Sequence, residues 1–370
     1  MLVKSLSLSH YRNYETIELD TNHKVNLFVG RNAQGKTNLL EAIFVLALTK
    51  SHRTSKDREL IGWNADHSTL HATVERKYGV CQLDLSISKQ GKKAKLNGLE
   101  QRKLSGFIGA LNVVMFAPED LEIVKGSPSI RRRFLDMEIG QVQPSYLFHL
   151  QQYQKVLVQR NNLLKQMWDD KGKGSQVMLD IFNEQLSEHG VKIVKKRKQY
   201  LKKLQVWAEQ IHAGITNGME QLSIAYHPSF ETDSDDDAVL LEQFMIKLTQ
   251  MHNQEVRRGM TLVGPHRDDL IFAINGKEVQ TYGSQGQQRT TALSLKLAEI
   301  ELMHEEIGEY PVLLLDDVLS ELDSHRQTQL IETFQGKVQT FITTTGVEGI
   351  HTNRLQGANI FHVDNGQVKR

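Results

Sequence analysis

The chain has 370 residues, 39% of them hydrophobic, with 45 Lys and Arg against 44 Asp and Glu for a formal net charge of +1. That length supports two packed domains rather than one core, and the near-balanced charge excludes a whole-molecule field that would draw in polyanions, so nucleic-acid contact must come from local basic patches. The lone Cys81 excludes an internal disulfide, Met1 to Ser9 lack a signal-peptide layout, and no apolar run reaches the ~18 residues of a membrane span, so the expected location is the cytoplasm with no membrane partner.

From the N-terminus, Leu2, Lys4, Leu6 and Leu8 alternate as a strand does, and Lys24 to Val29 reads as a second, buried strand. Beyond Ala33, Leu39, Leu40, Ile43, Phe44 and Ala47 recur at helical spacing, which makes the segment strand, glycine-bearing turn, helix. The six prolines, at 118, 128, 144, 228, 265 and 311, leave Ser145 to His227 without a strong breaker, so helices should dominate there. Leu150, Tyr153, Leu157, Leu164 and Met167 form one apolar stripe and Leu201, Leu204, Ala208, Ile211 and Ile215 another, with Lys171 to Gly174 as the turn between the arms. Strand character returns at Leu270 to Ile274, followed by the turn Asn275-Gly276 and Lys277 to Thr281 as a hairpin. A helix is predicted from Gln285 to about Glu306, and strands at Val312 to Leu315 and Gln339 to Thr343. The expected architecture is α/β: a P-loop ATPase domain of the ABC type over residues 1–120 and 256–370, with a mainly helical second domain, 121–255, inserted into it.

The strongest chemical signal is Gly30-Arg31-Asn32-Ala33-Gln34-Gly35-Lys36-Thr37, which fits G-x-x-x-x-G-K-[ST] in a strand-turn-helix setting. Glycines let backbone N–H groups wrap a phosphate, Lys36 reaches the β- and γ-phosphates, and the Thr37 hydroxyl ligates Mg²⁺. Val312 to Asp317 is an aliphatic strand delivering two carboxylates to its C-terminal edge: Asp316 to hold Mg²⁺, Asp317 to polarise the attacking water. Tyr282-Gly283-Ser284-Gln285-Gly286-Gln287-Gln288 precedes a helix that Ser284 can N-cap, and it is similar to a degenerate cassette-ATPase signature loop. Ser284, Gly286 and Gln287 would then face an ATP bound by a second copy, so that the nucleotide bridges a homodimer.

These residues, together with Tyr11-Arg12-Asn13-Tyr14, Phe116-Ala117-Pro118-Glu119-Asp120-Leu121, Gly126-Ser127-Pro128 with Arg131-Arg132, Gly264-Pro265-His266-Arg267-Asp268-Asp269 and Ser320-Glu321-Leu322-Asp323, resemble the RecF family from end to end. The resemblance implies ATP-dependent dimerisation on double- and single-stranded DNA and at gap junctions, with weak, DNA-stimulated hydrolysis. It also implies recombinase loading, replication restart and SOS induction alongside RecO- and RecR-type mediators. It puts Arg12 and Asn13 near the nucleotide, although strand-edge Arg and Asn are also commonly just solvated. The sequence departs from the wider superfamily in having no glutamine between Val113 and Leu121 and no histidine after Thr343-Thr344-Thr345.

For DNA, Val191 to Leu204 holds Lys192, Lys195, Lys196, Arg197, Lys198, Lys202 and Lys203 and no acid, a spacing that can track phosphates or simply keep a helix face solvated. Arg131 to Arg133 either join that surface or pair internally with Asp136 and Glu138, while Asp233, Asp235, Asp236 and Asp237 read as an exposed acidic loop. Two other classes share the P-loop: a transporter's nucleotide-binding subunit, in which P-loop and signature lie much closer together, and a metabolic kinase, which needs no signature loop.

Overall fold

The computed structural model describes residues 1–169, 176–231, 233–319, 326–328, 330–331, 336–346 and 357–370. It divides into two units, one of Met1–Leu121, Gln210–Met219 and Ala292–Arg370, the other of Glu122–Glu209 and Glu220–Thr291. The sequence expectation put the boundaries at 120/121 and 255/256; this division runs between Leu121 and Glu122 and between Thr291 and Ala292, the latter because a strand in the segment after 255 pairs with one inside the helical region.

In the first unit, β1 (Leu2–Tyr11) turns back into β2 (Tyr14–Asp20), with His10 and Arg12 at positive φ in the tight reversal. The apolar β3 (Val25–Val29) leads through the P-loop to α1 (Lys36–Leu48), a helix apolar on nearly all sides and correspondingly buried. Strands β4 (His67–Arg76), β5 (Gly79–Ser88), β6 (Gly91–Leu96) and β7 (Leu99–Glu100) join the first two in an antiparallel sheet ordered β2-β1-β4-β5-β6-β7, and β8 (Val113–Phe116) leaves for the other sheet.

The second unit contains α2 (Leu121–Lys125), which straddles the boundary, α3 (Pro128–Val142), the long arms α4 (Pro144–Asp169) and α5 (Gln176–Ile215), then β9 (Leu222–His227) and α6 (Asp237–Arg258). The predicted turn at 171–174 lies outside the described residues. On α4 the buried stripe is Tyr146, Tyr153, Val156, Arg160, Leu164 and Met167. It admits a charged residue because Arg160 donates to Asn183 Oδ1 (2.8 Å), Thr261 Oγ1 (2.8 Å) and Glu255 Oε2 (2.6 Å), all of them buried. β10 (Asp269–Ile274) pairs along its whole length with β9, from Asp269↔His227 to Ile274↔Leu222, and this is what carries 256–291 into the helical unit. The predicted second hairpin strand is short. Only β11 (Lys277–Glu278) pairs before the chain turns into α7 (Val279–Tyr282), where Val279 is buried and Gln280 donates to the carbonyls of Lys125 and Gly126.

α8 (Gln285–Ile307) returns the chain to the first unit, which ends in β12 (Val312–Asp316), β13 (Thr340–Thr344), β14 (Asn359–Asp364) and β15 (Gln367–Lys369). These complete a sheet ordered β15-β14-β3-β13-β12-β8, parallel except for β15. Its central strands are buried on both faces, as a covered parallel sheet requires: β3 and β12 are mostly apolar, and β13 buries three threonines beside Phe341 and Ile342. The C-terminal ends of β3, β13 and β12 therefore lie side by side, and the motif residues sit just beyond them. Among the described residues no helix is long and apolar enough to cross a membrane.

Candidate functional site

The P-loop leaves β3 at Gly30, whose backbone runs so close to β14 that a Cβ there would lie 2.3 Å from the Val363 carbonyl oxygen. Ala33 (φ 64°) and Gly35 (φ 114°) take left-handed conformations that curl the loop, and at Gly35 a Cβ would strike the Asn13 amide and the Tyr14 hydroxyl. Tyr14 donates to the Gly35 carbonyl (3.0 Å), Asn13 to that of Gln34 (3.1 Å), and Asn365 N–H to Gln34 Oε1 (2.6 Å), so the β1–β2 and β14–β15 turns and the start of β2 brace the loop from outside. Lys36 donates to the carbonyls of Gly30 (2.7 Å) and Arg31 (2.8 Å), folding its ammonium back over the cradle. Burial lowers the pKa of Lys36, against the opposing pull of Asp317 and Asp316.

Thr37 Oγ1 donates to Asp316 Oδ1 at 2.9 Å across the sheet edge. Burial raises the pKa of Asp316, which the hydrogen bonds from Thr343 and Thr37 counter and the nearby Glu119 reinforces. Asp317 follows at φ 54°, its N–H donating to Thr343 Oγ1 at 2.9 Å. Asn32, Ala33, Gly35, Lys36, Thr37, Asn38, Arg53 and Asp317 enclose a cavity of about 380 Å³ at this point. A backbone cradle, one ammonium, one hydroxyl and the Asp317 carboxylate around a common space, with the Asp316 carboxylate bonded to that hydroxyl, are the parts of a nucleoside triphosphate site with a divalent cation. The oxygen-only pair Thr37 and Asp316 fits Mg²⁺ as a hard ion.

Arg12, which the family resemblance puts near the nucleotide, does not line this cavity; its guanidinium donates to Glu41 (2.7 and 2.6 Å) and to the Glu59 carbonyl (2.8 Å). Glu41 is fully buried and also accepts from Tyr11 and Ser51, so the pair is architectural. Arg12 and Asn13 line a neighbouring cavity of about 680 Å³ that also includes Trp63 and Arg58 and shares Asn38 and Arg53 with the phosphate cavity. Sequence reasoning missed Arg53 and Thr343. Arg53 carries no motif; Thr343 could have been found from register, since it is the β13 partner of Asp316.

Ser284 does cap α8: Gln287 N–H donates to its Oγ (3.2 Å) while its own N–H donates to Gln287 Oε1 (2.9 Å), a reciprocal capping box. The Ser284 hydroxyl is exposed, and Gly286 and Gln287 sit half-buried in the first turn. Residues 320–323, read as the loop following the aspartates, lie outside the described residues.

The basic stretch on α5 is not a uniform cationic face. Arg197 is buried, donating to Asp136 (2.7 Å), Tyr146 (3.0 Å) and the Pro265 carbonyl (2.6 Å), and so is withdrawn as a DNA contact. Lys192 and Lys195 pair with Asp237, and Lys198 with Asp235. The acidic run is therefore the counter-charge of this helix and the cap of α6, where Asp236 accepts from Ala238 N–H (2.8 Å) and Val239 N–H (3.2 Å). Lys196 is half-buried, and Lys202 and Lys203 are exposed. Arg131 is internal, as one reading had it, but its partner is Asp269 (2.7 and 2.9 Å) rather than Asp136 or Glu138.

Sheet order, P-loop and aspartate strand define a P-loop ATPase fold of the ABC type. A domain model described as "RecF/RecN/SMC N terminal domain" matches residues 2–369. The chain is 58% identical to the DNA replication and repair protein RecF of Bacillus mycoides (strain KBAB4) over 100% of this chain and 98% of that one. It is 57% identical to that of Bacillus cereus (strain AH820) with the same coverage. A structure titled as the recombination mediator protein RecF with ATP in the RecFOR pathway superposes with a TM-score of 0.91 at 36% identity, over 100% of this chain and 97% of that one. A Pyrococcus furiosus Smc head domain shares the fold, with a TM-score of 0.54 at 16% identity over 100% of this chain and 95% of that one. The chain belongs to the RecF family.

Proposed function

We propose that this protein is an ATP-dependent DNA-binding protein of recombinational and replication-gap repair, in which ATP at the P-loop joins two copies on DNA and slow hydrolysis releases them. The observation that carries the proposal is the 380 Å³ cavity that brings Lys36, Thr37 and Asp317 together, in a chain 58% identical to a RecF protein. The backbone from Gly30 to Gly35 and the Lys36 ammonium bind the β- and γ-phosphates. Thr37 and Asp316 hold Mg²⁺, which when bound neutralises charge developing on the phosphate oxygens. Asp317 orients the attacking water and accepts its proton; an Asp there, shorter by a methylene than a Glu, suits slow turnover.

The exposed hydroxyl of Ser284 is the dimer half of the proposal. Its oxygen accepts within the capping box, so the O–H remains to donate outward, at a helix N-terminus that favours a second copy's γ-phosphate. Mediators of the RecO and RecR type are the expected protein partners, since the RecF protein of known structure at 36% identity is a recombination mediator of the RecFOR pathway. On this reading residues 1–120 and 292–370 supply the P-loop and the two aspartates, and the helical arm, extended from 121–255 to reach 291, carries Ser284.

Sedimentation with and without ATP and Mg²⁺, repeated with gapped duplex DNA at two salt concentrations, tests this directly. The expected result is an ATP-dependent dimer that binds DNA less tightly at higher salt, and a Lys36→Met protein that stays monomeric while folding normally. A wild-type monomer indifferent to nucleotide and to DNA would remove the proposal.

A further inference from the structure

Strands β12 and β13 are parallel neighbours, and Asp316 is in register with Thr343. The Thr343 side chain is buried, and its hydroxyl donates to Asp316 Oδ1 (2.8 Å) and accepts from the N–H of Asp317 (2.9 Å), with the Leu315 carbonyl as a longer, alternative acceptor at 3.5 Å. The direction of both bonds is fixed by chemistry, because a carboxylate oxygen accepts and a backbone amide donates. That amide belongs to a residue at φ 54°, a left-handed conformation that residues other than glycine seldom adopt and that persists where surrounding bonds impose it. Asp317 in that conformation lines the phosphate cavity beside Lys36 and Thr37.

We infer that Thr343 is a positioning residue: its hydroxyl pins the left-handed turn that presents Asp317 to the cavity, and in the same act holds Asp316 Oδ1 toward Thr37. One side chain from the adjacent strand thereby ties the proposed metal ligand to the proposed water-orienting carboxylate, so that the two move together. The inference rests on the reading of Asp317 as the residue that activates water. Valine has the same shape but offers neither bond, leaving the Asp317 N–H without its acceptor and Asp316 Oδ1 without one of its two donors. Serine offers both.

The test compares wild type, Thr343→Val and Thr343→Ser in three measurements on the full chain: equilibrium binding of a fluorescent ATP analogue in Mg²⁺, ATP turnover with duplex DNA, and thermal unfolding. Thr343→Val should bind the analogue within about threefold of wild type and turn ATP over roughly 30-fold more slowly, with Thr343→Ser restoring turnover to within about threefold. Wild-type turnover in Thr343→Val overturns the inference, as does a Ser variant as impaired as Val. So does a parallel loss of analogue affinity, melting temperature and turnover in both variants, which would make the hydroxyl merely structural. Wild-type protein that binds the analogue but never turns ATP over sinks the Asp317 reading and this inference together, whereas turnover in wild type matched by Thr343→Val sinks this inference alone.

Discussion

Two short segments of the chain each combine glycine with charged residues, and the structure uses them in opposite ways. Gly30 to Thr37 wraps an open cavity. Gly264 to Asp269 is instead a buried junction: Gly264 sits at φ 123° where a Cβ would lie 2.2 Å from the Tyr153 hydroxyl, His266 bonds Tyr153, Pro265 accepts from Arg197, and Asp268 accepts from Tyr226 and Ser229 N–H. Asp269 takes Arg131. The strands and helices of the second unit are thus tied at one knot. The difference lies in what the polar groups face: in the knot they are enclosed among one another, while Lys36, Thr37 and Asp317 line an open cavity, Lys36 and Thr37 bonding to neighbours at its wall.

The largest effect that tests this contrast is the loss of Arg197. Its guanidinium joins Asp136, Tyr146 and the Pro265 carbonyl, with Asp268 4.0 Å away. Arg197→Met should leave the buried Asp268 and the half-buried Asp136 uncompensated and cost about 3–5 kcal/mol in denaturant unfolding of the second unit. Lys36→Met, in the open cavity, should cost no measurable stability. If the two variants unfold alike, the distinction between knot and cavity fails.

His266 provides a subtler probe of the same knot. Thr261 O can only accept, so His266 Nε2 carries the proton (3.1 Å) and Nδ1 accepts from the Tyr153 hydroxyl (2.7 Å), the pattern of a neutral ring. Burial lowers its pKa from 6.5 to about 4. Between those values the unfolded chain holds a proton that the folded one lacks, so the stabilising contribution is complete above pH 6.5 and is lost as pH falls toward 4. The loss is at most roughly 3 kcal/mol. Denaturant curves of wild type and His266→Gln from pH 8 to 4 should converge as the pH drops. A constant gap would mean that the ring titrates freely.

Much of this was legible in the sequence, for reasons that can be stated. The P-loop and aspartate strand are local: strand, turn and helix occur consecutively, and an aliphatic run ending in two carboxylates has few other uses. The capping box at Ser284 and Gln287 is local too. What escaped notice depends on contacts distant in sequence. Arg160 looks like a solvated residue in a helical pattern, but its partners Asn183, Glu255 and Thr261 arrive from elsewhere in the chain. Leu222 to His227 falls in a proline-free stretch read as helical and becomes a strand because β10 lies beside it. Arg12 forms a bidentate pair with a glutamate that helical periodicity places on α1 without revealing that it is buried.

The smallest predicted effect concerns α5, where seven cations drew attention as a group and the structure separates them. Lys192 and Lys195 hold Asp237, pulling its pKa down to about 2, so the pairs are intact at any pH at which the protein would meet DNA. A lysine already matched by a carboxylate displaces fewer counterions on binding a phosphate than an unmatched one. Lys202, further along the helix and exposed, is the better phosphate contact. Lys202→Ala should lower the slope of log affinity against log salt by up to about 0.9 on duplex DNA, the value expected for one full phosphate contact, and Lys195→Ala by much less. Equal slope changes per residue would mean that Asp237 releases its lysines to DNA. An unchanged slope in both would move the DNA contact away from α5, leaving its basic residues as the counterpart of the acidic run alone.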